Sequence, residues 1–464
     1  MRHHQAGNLA TAERLYKKLL EREARNPEVW YLAGYLAIQR GEHVVALHRL
    51  TRTLALRPDF PEAELNRANL LMEMGRIEEA IAAWRKVLAA NPDRIEAHGN
   101  LAIALARLGR HAEALGHRFE AARAAKDGAA LIALARDAAV LLAVPLALAA
   151  AEAACALRPD DGEAAAMLAD LLRALGRLDE AETAARRATA LAPGLAAGFN
   201  ALGQILFRTD RPDEALAALE QACAIDPGHL EARHFRSLLN RTDDHDAQAG
   251  YVRALFDECA DSFETILVDH LHYDAPAQLA RQLEALGALA ARPEVVDLGC
   301  GTGLCGDYLR AAASRLVGVD LAPRMVERTR QRGIYDEVAE ADIVDFLGRH
   351  PQAFDGAIAA DVLIYIGEAA EVFTAAHRAL RPGGWFAFSI ETNDKIGETN
   401  DESSETGDRA GVIGRASGRY AHGLGYIRDL AARTGFIVAD ERPFALRQEL
   451  GASIPGCGIV LIAR

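Results

Sequence analysis

A fixed spacing of 34 residues constrains this chain of 464 residues more than any other feature. Glycine recurs at this interval, and an alanine follows each glycine five residues later, in the pairs Gly7 and Ala12, Gly41 and Ala46, Gly75 and Ala80, and Gly109 and Ala114. A unit of this length holds two helices, with glycine ending the first and alanine lying where the two helices cross closely. The spacing therefore predicts an all-α solenoid.

The same pattern resumes further along the chain, with Gly176 before Ala181 and Asp210 before Ala215. A period of 34 residues with these glycines and alanines resembles the tetratricopeptide (TPR) repeat family, which implies a TPR domain over residues 1–240. Such an array has no chemistry of its own, so the resemblance implies docking or oligomerisation, with a protein or peptide on the concave face as a possible partner.

Two asparagines, Asn66 and Asn100, stand 34 residues apart on the first helices of neighbouring units. Some TPR proteins use asparagines at this place to bind a peptide backbone. The carboxylate-clamp subtype also has a lysine four residues earlier, where this chain has Glu62 and Glu96. Capture of an acidic C-terminus is therefore not expected, and solvated asparagines without a ligand remain the alternative.

The composition narrows the classes of partner. A formal net charge of −14 opposes nucleic-acid binding, which needs a basic face. The six cysteines show no Cys-x-x-Cys spacing, so we expect reduced thiols, no structural metal and a cytoplasmic location. The apolar run at 138–151 contains Pro145 and is shorter than the roughly 20 residues that span a bilayer, so we expect no membrane segment.

The pattern changes after a polar stretch at 241–250, which we interpret as a linker to a second domain at 251–464. Short apolar runs then alternate with amphipathic helices, which predicts an α/β fold with a parallel sheet. We expect seven strands near 294–298, 316–320, 336–340, 355–360, 385–390, 436–441 and 457–463. We expect helices near 304–313, 323–332, 343–349, 368–380 and 423–434.

The central motif is Val-Val-Asp-Leu-Gly-Cys-Gly-Thr-Gly at 295–303. It reads as a buried strand followed by glycines that let the backbone turn tightly beneath a ligand. The Gly-x-Gly-x-x-Gly spacing from Gly301 to Gly306 also fits a dinucleotide fingerprint, so this motif alone leaves NAD open.

Additional residues favour another cofactor. Asp297 precedes the glycines by two residues, Asp320 ends the second predicted strand, and Asp342 follows the third. Together with the Leu-Arg-Pro-Gly-Gly turn at 380–384, this order resembles class I S-adenosylmethionine-dependent methyltransferases, which have a Rossmann-like, seven-stranded fold. The entry segment from Phe256 to Pro276 resembles small-molecule methyltransferases of the ubiquinone-biosynthesis type.

The resemblance implies S-adenosylmethionine as the cofactor. Asp297 then organises the methionine end, Asp320 binds the ribose hydroxyls and Asp342 holds the adenine amine. The full set of expected cofactor-binding residues is Asp297, Gly299, Cys300, Gly301, Gly303, Asp320, Leu321, Asp342, Ile343 and Asp361.

Acceptor-side residues should follow the later strands, because ligands collect at the carboxyl ends of parallel strands. An insertion at 392–417, rich in Gly, Ser, Thr and acids, has the composition of a mobile lid. We predict His422 as a general base and Tyr420 as an acceptor contact at the entrance of the helix that follows, with helix capping and packing as the alternative. The remaining expected substrate-binding residues are Tyr273, Tyr365, Glu391, Arg419 and Tyr426.

The leading hypothesis is methyl transfer from S-adenosylmethionine to a small-molecule acceptor by in-line displacement. A protein or peptide acceptor captured by the array is a second hypothesis, and a scaffold that binds the cofactor without turnover is a third. Asp361 and Glu391 are too few acids for a metal-dependent catechol type, so we expect no metal.

Overall fold

The computed structural model describes residues 2–141, 143–242, 244–260, 263, 273–392, 411–449 and 452–464. Contacts divide the chain into two compact units, residues 1–171 and 172–464. This boundary falls inside the repeat array, and the predicted TPR domain at 1–240 stays a prediction. Most of the predicted lid, residues 393–410, lies outside the described residues.

The first unit is helical throughout its described part. Its helices are α1 (Arg2–Gln5), α2 (Leu9–Arg22), α3 (Pro27–Gln39), α4 (His43–Leu56), α5 (Pro61–Glu73), α6 (Ile77–Ala90), α7 (Ile95–Arg107), α8 (His111–Ala125), α9 (Gly128–Val140), α10 (Val144–Leu157) and α11 (Gly162–Ala174), the last of which runs past the boundary. Gly75 has the positive φ of a helix end, and Ala80, five residues later, is fully buried. The repeat pattern thus has the physical roles that its spacing predicts.

The amides of the two repeated asparagines are used inside the array. Asn66 Nδ2 donates to the hydroxyl of Tyr31 at 3.1 Å, and Asn100 Nδ2 donates to Asn69 Oδ1 at 2.9 Å. Asn69 Oδ1 also accepts a hydrogen bond from Trp84 Nε1 at 3.0 Å. These side chains therefore tie neighbouring helices together.

The second unit begins with the end of the repeat array and continues into a sheet domain. Its helices after α11 are α12 (Leu178–Leu191), α13 (Ala196–Arg208), α14 (Pro212–Ile225), α15 (Leu230–Asn240), α16 (His245–Cys259), α17 (Ala275–Ala285), α18 (Leu304–Leu309), α19 (Pro323–Arg332), α20 (Ile343–Gly348), α21 (Ala370–Ala379) and α22 (Leu424–Arg433). Its strands are β1 (Glu294–Leu298), β2 (Arg315–Asp320), β3 (Glu337–Glu340), β4 (Phe354–Ala359), β5 (Leu380–Glu391), β6 (Val412–Gly414), β7 (Tyr420–His422), β8 (Phe436–Glu449) and β9 (Ala452–Ala463).

Seven of these strands form the main sheet in the order β3-β2-β1-β4-β5-β9-β8, with β9 antiparallel to both of its neighbours. The two short strands pair with each other, and β7 touches the end of β5 through Ala421 opposite Glu391. Strand β1 is buried on both faces, as parallel strands between helices are: Val296 packs into one apolar cluster and Val295 into the other. The solenoid and the α/β sheet confirm the predicted fold class.

The segment predicted as a linker is largely helical. Helix α16 starts at His245 because Asp244 caps it, with its Oδ1 accepting from the amide of Ala247 at 3.1 Å. The polar composition of 241–250 therefore reflects a helix cap and a solvated first turn. Within the described ranges, no helix combines the length and the apolar character needed to cross a membrane.

Candidate active site

A cavity of about 420 Å³ lies at the carboxyl ends of β1, β2 and β4. Predicted residues that line it are Gly299, Cys300, Gly301, Asp320, Leu321, Asp342, Ile343, Asp361, Tyr273, Tyr365 and Arg419. Predicted residues that are not among its lining are Asp297, Gly303, Glu391, Tyr420, His422 and Tyr426. The structure therefore gathers most of the expected cofactor residues and splits the expected acceptor residues.

Asp320 at the tip of β2 holds the glycine loop, residues 299–303 after β1, in place. Its Oδ2 accepts from the amide of Gly301 and its Oδ1 from the amide of Ala322, both at 2.8 Å. Burial raises the pKa of Asp320, while these amide hydrogen bonds favour the ionised form. A carboxylate oxygen with one amide donor can accept a further bond, so this side chain can still bind a hydroxyl in the cavity.

Asp342 both lines the cavity and caps a helix. Its Oδ1 accepts from the amide of Val344 at 2.8 Å and from that of Asp345 at 3.2 Å, which fixes the start of α20. The helix cap holds the carboxyl group at the cavity wall in one orientation.

Asp297 lies behind the glycine loop and not on the cavity surface. Its Oδ2 accepts from the hydroxyl of Tyr335 at 2.6 Å, and the Cys305 thiol is a second hydrogen-bonding neighbour of the same carboxyl group. Burial raises the pKa of Asp297 to about 7, against the Tyr335 bond, which lowers it.

The glycine loop approaches a neighbouring loop too closely for side chains. Gly299 has φ +66°, and a Cβ built there would lie 2.5 Å from Cγ2 of Val362, which also lines the cavity. Gly303 has a different task, because it precedes α18 and packs against Tyr335. The predicted contact of Gly303 with the cofactor is therefore not reflected in the lining of the cavity.

A buried arginine that the sequence analysis missed, Arg447 on β8, contributes to the cavity wall. Its Nη1 lies 3.2 Å from Asp361 Oδ2, and its Nη2 lies 2.8 Å from Glu391 Oε2. Glu391 is thus part of a buried ion-pair cluster behind the wall. Asp361 reaches the cavity itself and is held on its other oxygen by the Ser389 hydroxyl at 3.3 Å.

Tyr365 and Arg419 contact each other in the cavity wall. Arg419 Nε donates to the hydroxyl of Tyr365 at 3.2 Å, and both residues line the wall. Tyr273 lines it as well, and burial raises the pKa of its phenol well above the ordinary value. These three predicted substrate contacts therefore face one space.

His422 and Tyr420 lie on β7, which ends two residues before the first residue of α22, so they do precede the predicted helix. His422 is fully buried, and its Nε2 donates toward the carbonyls of Ile366 at 3.0 Å and Gly367 at 3.2 Å. Burial lowers the pKa of His422 to about 4, against these carbonyl bonds. Tyr426 stacks on this imidazole, with ring centroids 6.0 Å apart. The geometry thus offers His422 a structural role, and general-base catalysis by it stays an untested prediction.

Helix α16 supplies a wall that the sequence analysis assigned partly to a linker. Its cavity-lining residues are His245, Gln248, Ala249, Val252 and Phe256. Gln248 Nε2 also donates to the backbone carbonyl of Tyr365. No motif marks these residues in the sequence. The helical spacing of 245, 248, 249, 252 and 256 was nevertheless present as a signal for one helix face.

Charge is unevenly distributed around the cavity. Six carboxyl side chains line it, namely Asp320, Asp342, Asp345, Asp361, Glu368 and Glu371. The basic side chains in the lining are Arg419, Arg447 and His245, and Arg447 is already paired with Asp361 and Glu391. The wall therefore favours a cationic ligand over an anionic one.

Comparison with protein families finds matches in both halves of the chain. Residues 296–388 match the methyltransferase domain family. Four stretches match tetratricopeptide repeat families, at 37–84, 65–130, 162–194 and 196–229. These matches confirm the predicted combination of TPR repeats with a methyltransferase domain.

Curated relatives resemble about a quarter of the chain. Ubiquinone biosynthesis O-methyltransferase of Bordetella pertussis is 27% identical over 123 residues, which cover 26% of this chain and 51% of the relative. The same enzyme of Thiobacillus denitrificans is 28% identical over 124 residues, covering 26% and 52%. The chain thus spans about half the length of these relatives.

Two solved structures resemble separate parts of the chain. Magnesium protoporphyrin IX methyltransferase from Synechocystis, with bound SAM, is 19% identical with a TM-score of 0.35, covering 47% of this chain and 97% of that protein. YrrB, a TPR protein with an unusual peptide-binding site, is 26% identical with a TM-score of 0.31, covering 41% and 98%.

Proposed function

We propose that this chain, which carries a methyltransferase domain together with TPR repeats, transfers a methyl group from S-adenosylmethionine to a small-molecule acceptor. The observation that carries the proposal is the acidic cavity above the glycine loop, with six carboxyl groups in its lining. S-adenosylmethionine bears a sulfonium and an ammonium, whereas NAD would bring two phosphates into the same acids. Electrostatic attraction therefore favours S-adenosylmethionine over NAD, a choice that the glycine motif alone leaves open.

The cavity residues fit S-adenosylmethionine part by part. Asp320 would bind the ribose hydroxyls, and Asp342, fixed by its helix cap, would accept from the adenine amine. Asp297, buried behind the glycine loop, would organise the methionine end through that loop and not by direct contact. A cavity of about 420 Å³ is within the range of small-molecule sites.

The sulfonium supplies an activated methyl group, so the protein's work is to orient the acceptor and to exclude water. Where the acceptor must lose a proton, we assign its removal to Asp361. Among the candidates His422, Glu391 and Asp361, Asp361 is the residue that lines the cavity. Burial raises the pKa of Asp361, against the pull of Arg447, and a raised pKa makes a carboxylate a better base.

Tyr273, Tyr365 and Arg419 complete the acceptor side in this proposal. The relatives are named ubiquinone biosynthesis O-methyltransferases, which agrees with an acceptor that fits inside the cavity. The TPR array would dock a protein or peptide partner or join copies of the chain. The six cysteines are free thiols, which agrees with a cytoplasmic location.

Calorimetry on the full chain tests the cofactor. S-adenosylhomocysteine should bind and NAD should not, and NAD binding without a response to S-adenosylhomocysteine would refute the proposal. Transfer of a tritiated methyl group, with labelled small molecules separated from labelled protein, tests the acceptor class. Label confined to protein would replace the small-molecule acceptor with a polypeptide.

Asp361→Asn tests the base. We expect methyl transfer to slow by roughly 10²–10⁴-fold, with little change in S-adenosylhomocysteine affinity. Ser389→Ala is the matched variant, because it removes a hydrogen bond to Asp361 and keeps the carboxylate. It should slow transfer by less than Asp361→Asn does, because it loses one hydrogen bond to the charged carboxylate but keeps the group that accepts the proton. Equal losses in the two variants would contradict proton transfer to Asp361.

A further inference from the structure

We propose that helix α15, the closing helix of the repeat array, positions helix α16 as a wall of the cofactor cavity. Arg233 and His234 are then positioning residues for a site that they do not touch. The proposal rests on the proposed function, because it takes the cavity to be the S-adenosylmethionine site. It makes the end of the array part of the catalytic unit.

The first anchor joins the start of α16 to α15. Arg233 on α15 binds Asp244 with two hydrogen bonds, from Nε at 3.0 Å and from Nη2 at 2.6 Å. The same carboxylate caps α16 through the amide of Ala247. Both side chains are about three-quarters buried, so solvent screens this pair less than a surface pair. The ion pair therefore fixes the point at which α16 begins.

The second anchor joins α15 to the loop before β7. His234 is fully buried and its Nε2 donates to the carbonyl of Gly418 at 2.9 Å. Its ring stacks on Tyr251 of α16, with centroids 4.4 Å apart and planes 12° from parallel. The next residue after Gly418 is Arg419, which lines the cavity. One histidine thus contacts both α16 and the segment that carries a wall residue.

The third anchor lies at the other end of α16, near Asp320, the residue proposed to bind the ribose hydroxyls. Asp257 Oδ1 accepts from the amide of Arg324 at 3.0 Å, and Arg324 Nη1 donates to the Asp257 carbonyl at 2.9 Å. Arg324 lies in the first turn of α19, four residues after Asp320. Helix α16 therefore extends from the array to the loop that holds Asp320.

The wall residues of α16 lie between these anchors. Gln248, Val252 and Phe256 face the cavity from successive turns, between the fixed start at Asp244 and the fixed end at Asp257. A shift of the helix at either end would move all of them together, because a helix moves as a rigid element. A partner that moves α15 would by the same route alter the cavity.

The test uses the full chain and three single variants. Arg233→Gln removes the ion pair, and Asp244→Asn removes the charge while keeping a residue that caps helices well. Arg211→Gln is the matched control, because Arg211 makes similar paired bonds to Glu214 and Glu182 within the same unit but lies on neither α15 nor α16. The measurements are calorimetry with S-adenosylhomocysteine and amide hydrogen exchange of the ligand-free protein.

We expect Arg233→Gln and Asp244→Asn each to weaken S-adenosylhomocysteine binding by about tenfold, which is typical of coupling between sites. The variant that combines Arg233→Gln with Asp244→Asn should bind S-adenosylhomocysteine no more weakly than the single variant with the larger loss of affinity, because both substitutions break the same ion pair. Exchange of the α16 amides should become faster in both variants. Arg211→Gln should change neither measurement.

Wild-type affinity in Arg233→Gln and Asp244→Asn would overturn the proposal, and so would an equal loss in Arg211→Gln. If the unaltered chain does not bind S-adenosylhomocysteine, the proposed function fails. The positioning role is then judged by exchange alone: faster exchange confined to α16 and the start of α19 supports it, and unchanged exchange overturns it.

Discussion

Replacement of Gly299 by alanine tests the close approach beneath the cavity. At φ +66° an alanine adopts a left-handed backbone, which costs about 1–2 kcal/mol. The added Cβ also lies 2.5 Å from Cγ2 of Val362, so Val362 must move. Overpacking of this kind costs typically ~1–3 kcal/mol. The two costs together predict a loss of about 2–5 kcal/mol for Gly299→Ala.

Gly287 provides the matched control. Its φ is +69°, but no atom lies within 4 Å of a Cβ built there. Gly287→Ala should therefore lose only the backbone cost of about 1–2 kcal/mol. Removing the clashing methyl groups with Val362→Ala should restore part of the stability of Gly299→Ala, with a coupling energy of roughly 1–3 kcal/mol.

The assay is thermal and denaturant unfolding of the full chain, paired with calorimetry. One kcal/mol corresponds to about 2–4 °C in Tm for a domain of this size class. Because Val362 lines the cavity, Gly299→Ala should also weaken S-adenosylhomocysteine binding, whereas Gly287→Ala should leave it unchanged. Equal Tm values for the two variants, or no recovery with Val362→Ala, would refute the reasoning from the close approach.

Three further predictions concern the buried Asp297, the buried His422 and the part of the chain that binds the cofactor. Burial raises the pKa of Asp297 to about 7, so the contribution of this carboxyl group to stability is full below about pH 4 and is lost as the pH rises through 7. The affinity for S-adenosylhomocysteine should increase as the pH rises from 6 to 8, because the ammonium of this ligand favours the ionised carboxylate. Titrating Asp297→Asn should flatten both profiles, and a wild-type profile as flat as the variant's would contradict the assignment. His422→Ala should lower the free energy of unfolding by about 1–3 kcal/mol, because two buried carbonyls lose their hydrogen-bond donor. Turnover should be nearly unchanged. A fully folded variant with turnover slowed by about 10²-fold would support the general-base hypothesis. A fragment of residues 251–464 starts inside α16, so it should lose S-adenosylhomocysteine binding that residues 172–464 retain, as calorimetry on both would reveal.

The repeats and the glycine motif were predictable because local rules dictate them. Glycine at a helix end and alanine at a helix crossing are required by backbone geometry and close packing, so they recur at a fixed spacing. Asp320 was predictable for a similar reason, since the carboxyl end of β2 lies beside the glycine loop in any sheet with β1 and β2 adjacent. The order of the strands in the sheet therefore determines where Asp320 lies relative to the glycine loop.

Arg447 and helix α16 were not predictable in this way. Arg447 lies on β8, far along the chain from the glycine motif, and it reaches the cavity because β9 and β8 extend the sheet beyond β5. An arginine in a strand reads as solvated until its two partners, Asp361 and Glu391, are placed beside it. The start of α16 was hidden because capping residues and linker residues have the same polar composition.

The separation of Arg419 from His422 has a single geometric cause. The sequence predicts Arg419, Tyr420 and His422 together at the entrance of the helix that follows. In the extended backbone that leads through β7, side chains alternate, so residues three apart point to opposite sides. Tyr420 and His422 accordingly pack together against the Gly367 loop, while Arg419 faces the cavity. The residue types are suited to catalysis, but the alternation along β7 separates Arg419 from His422, and general-base catalysis by His422 stays a prediction. A search for the acceptor site should therefore begin from Arg419, Tyr365 and Asp361.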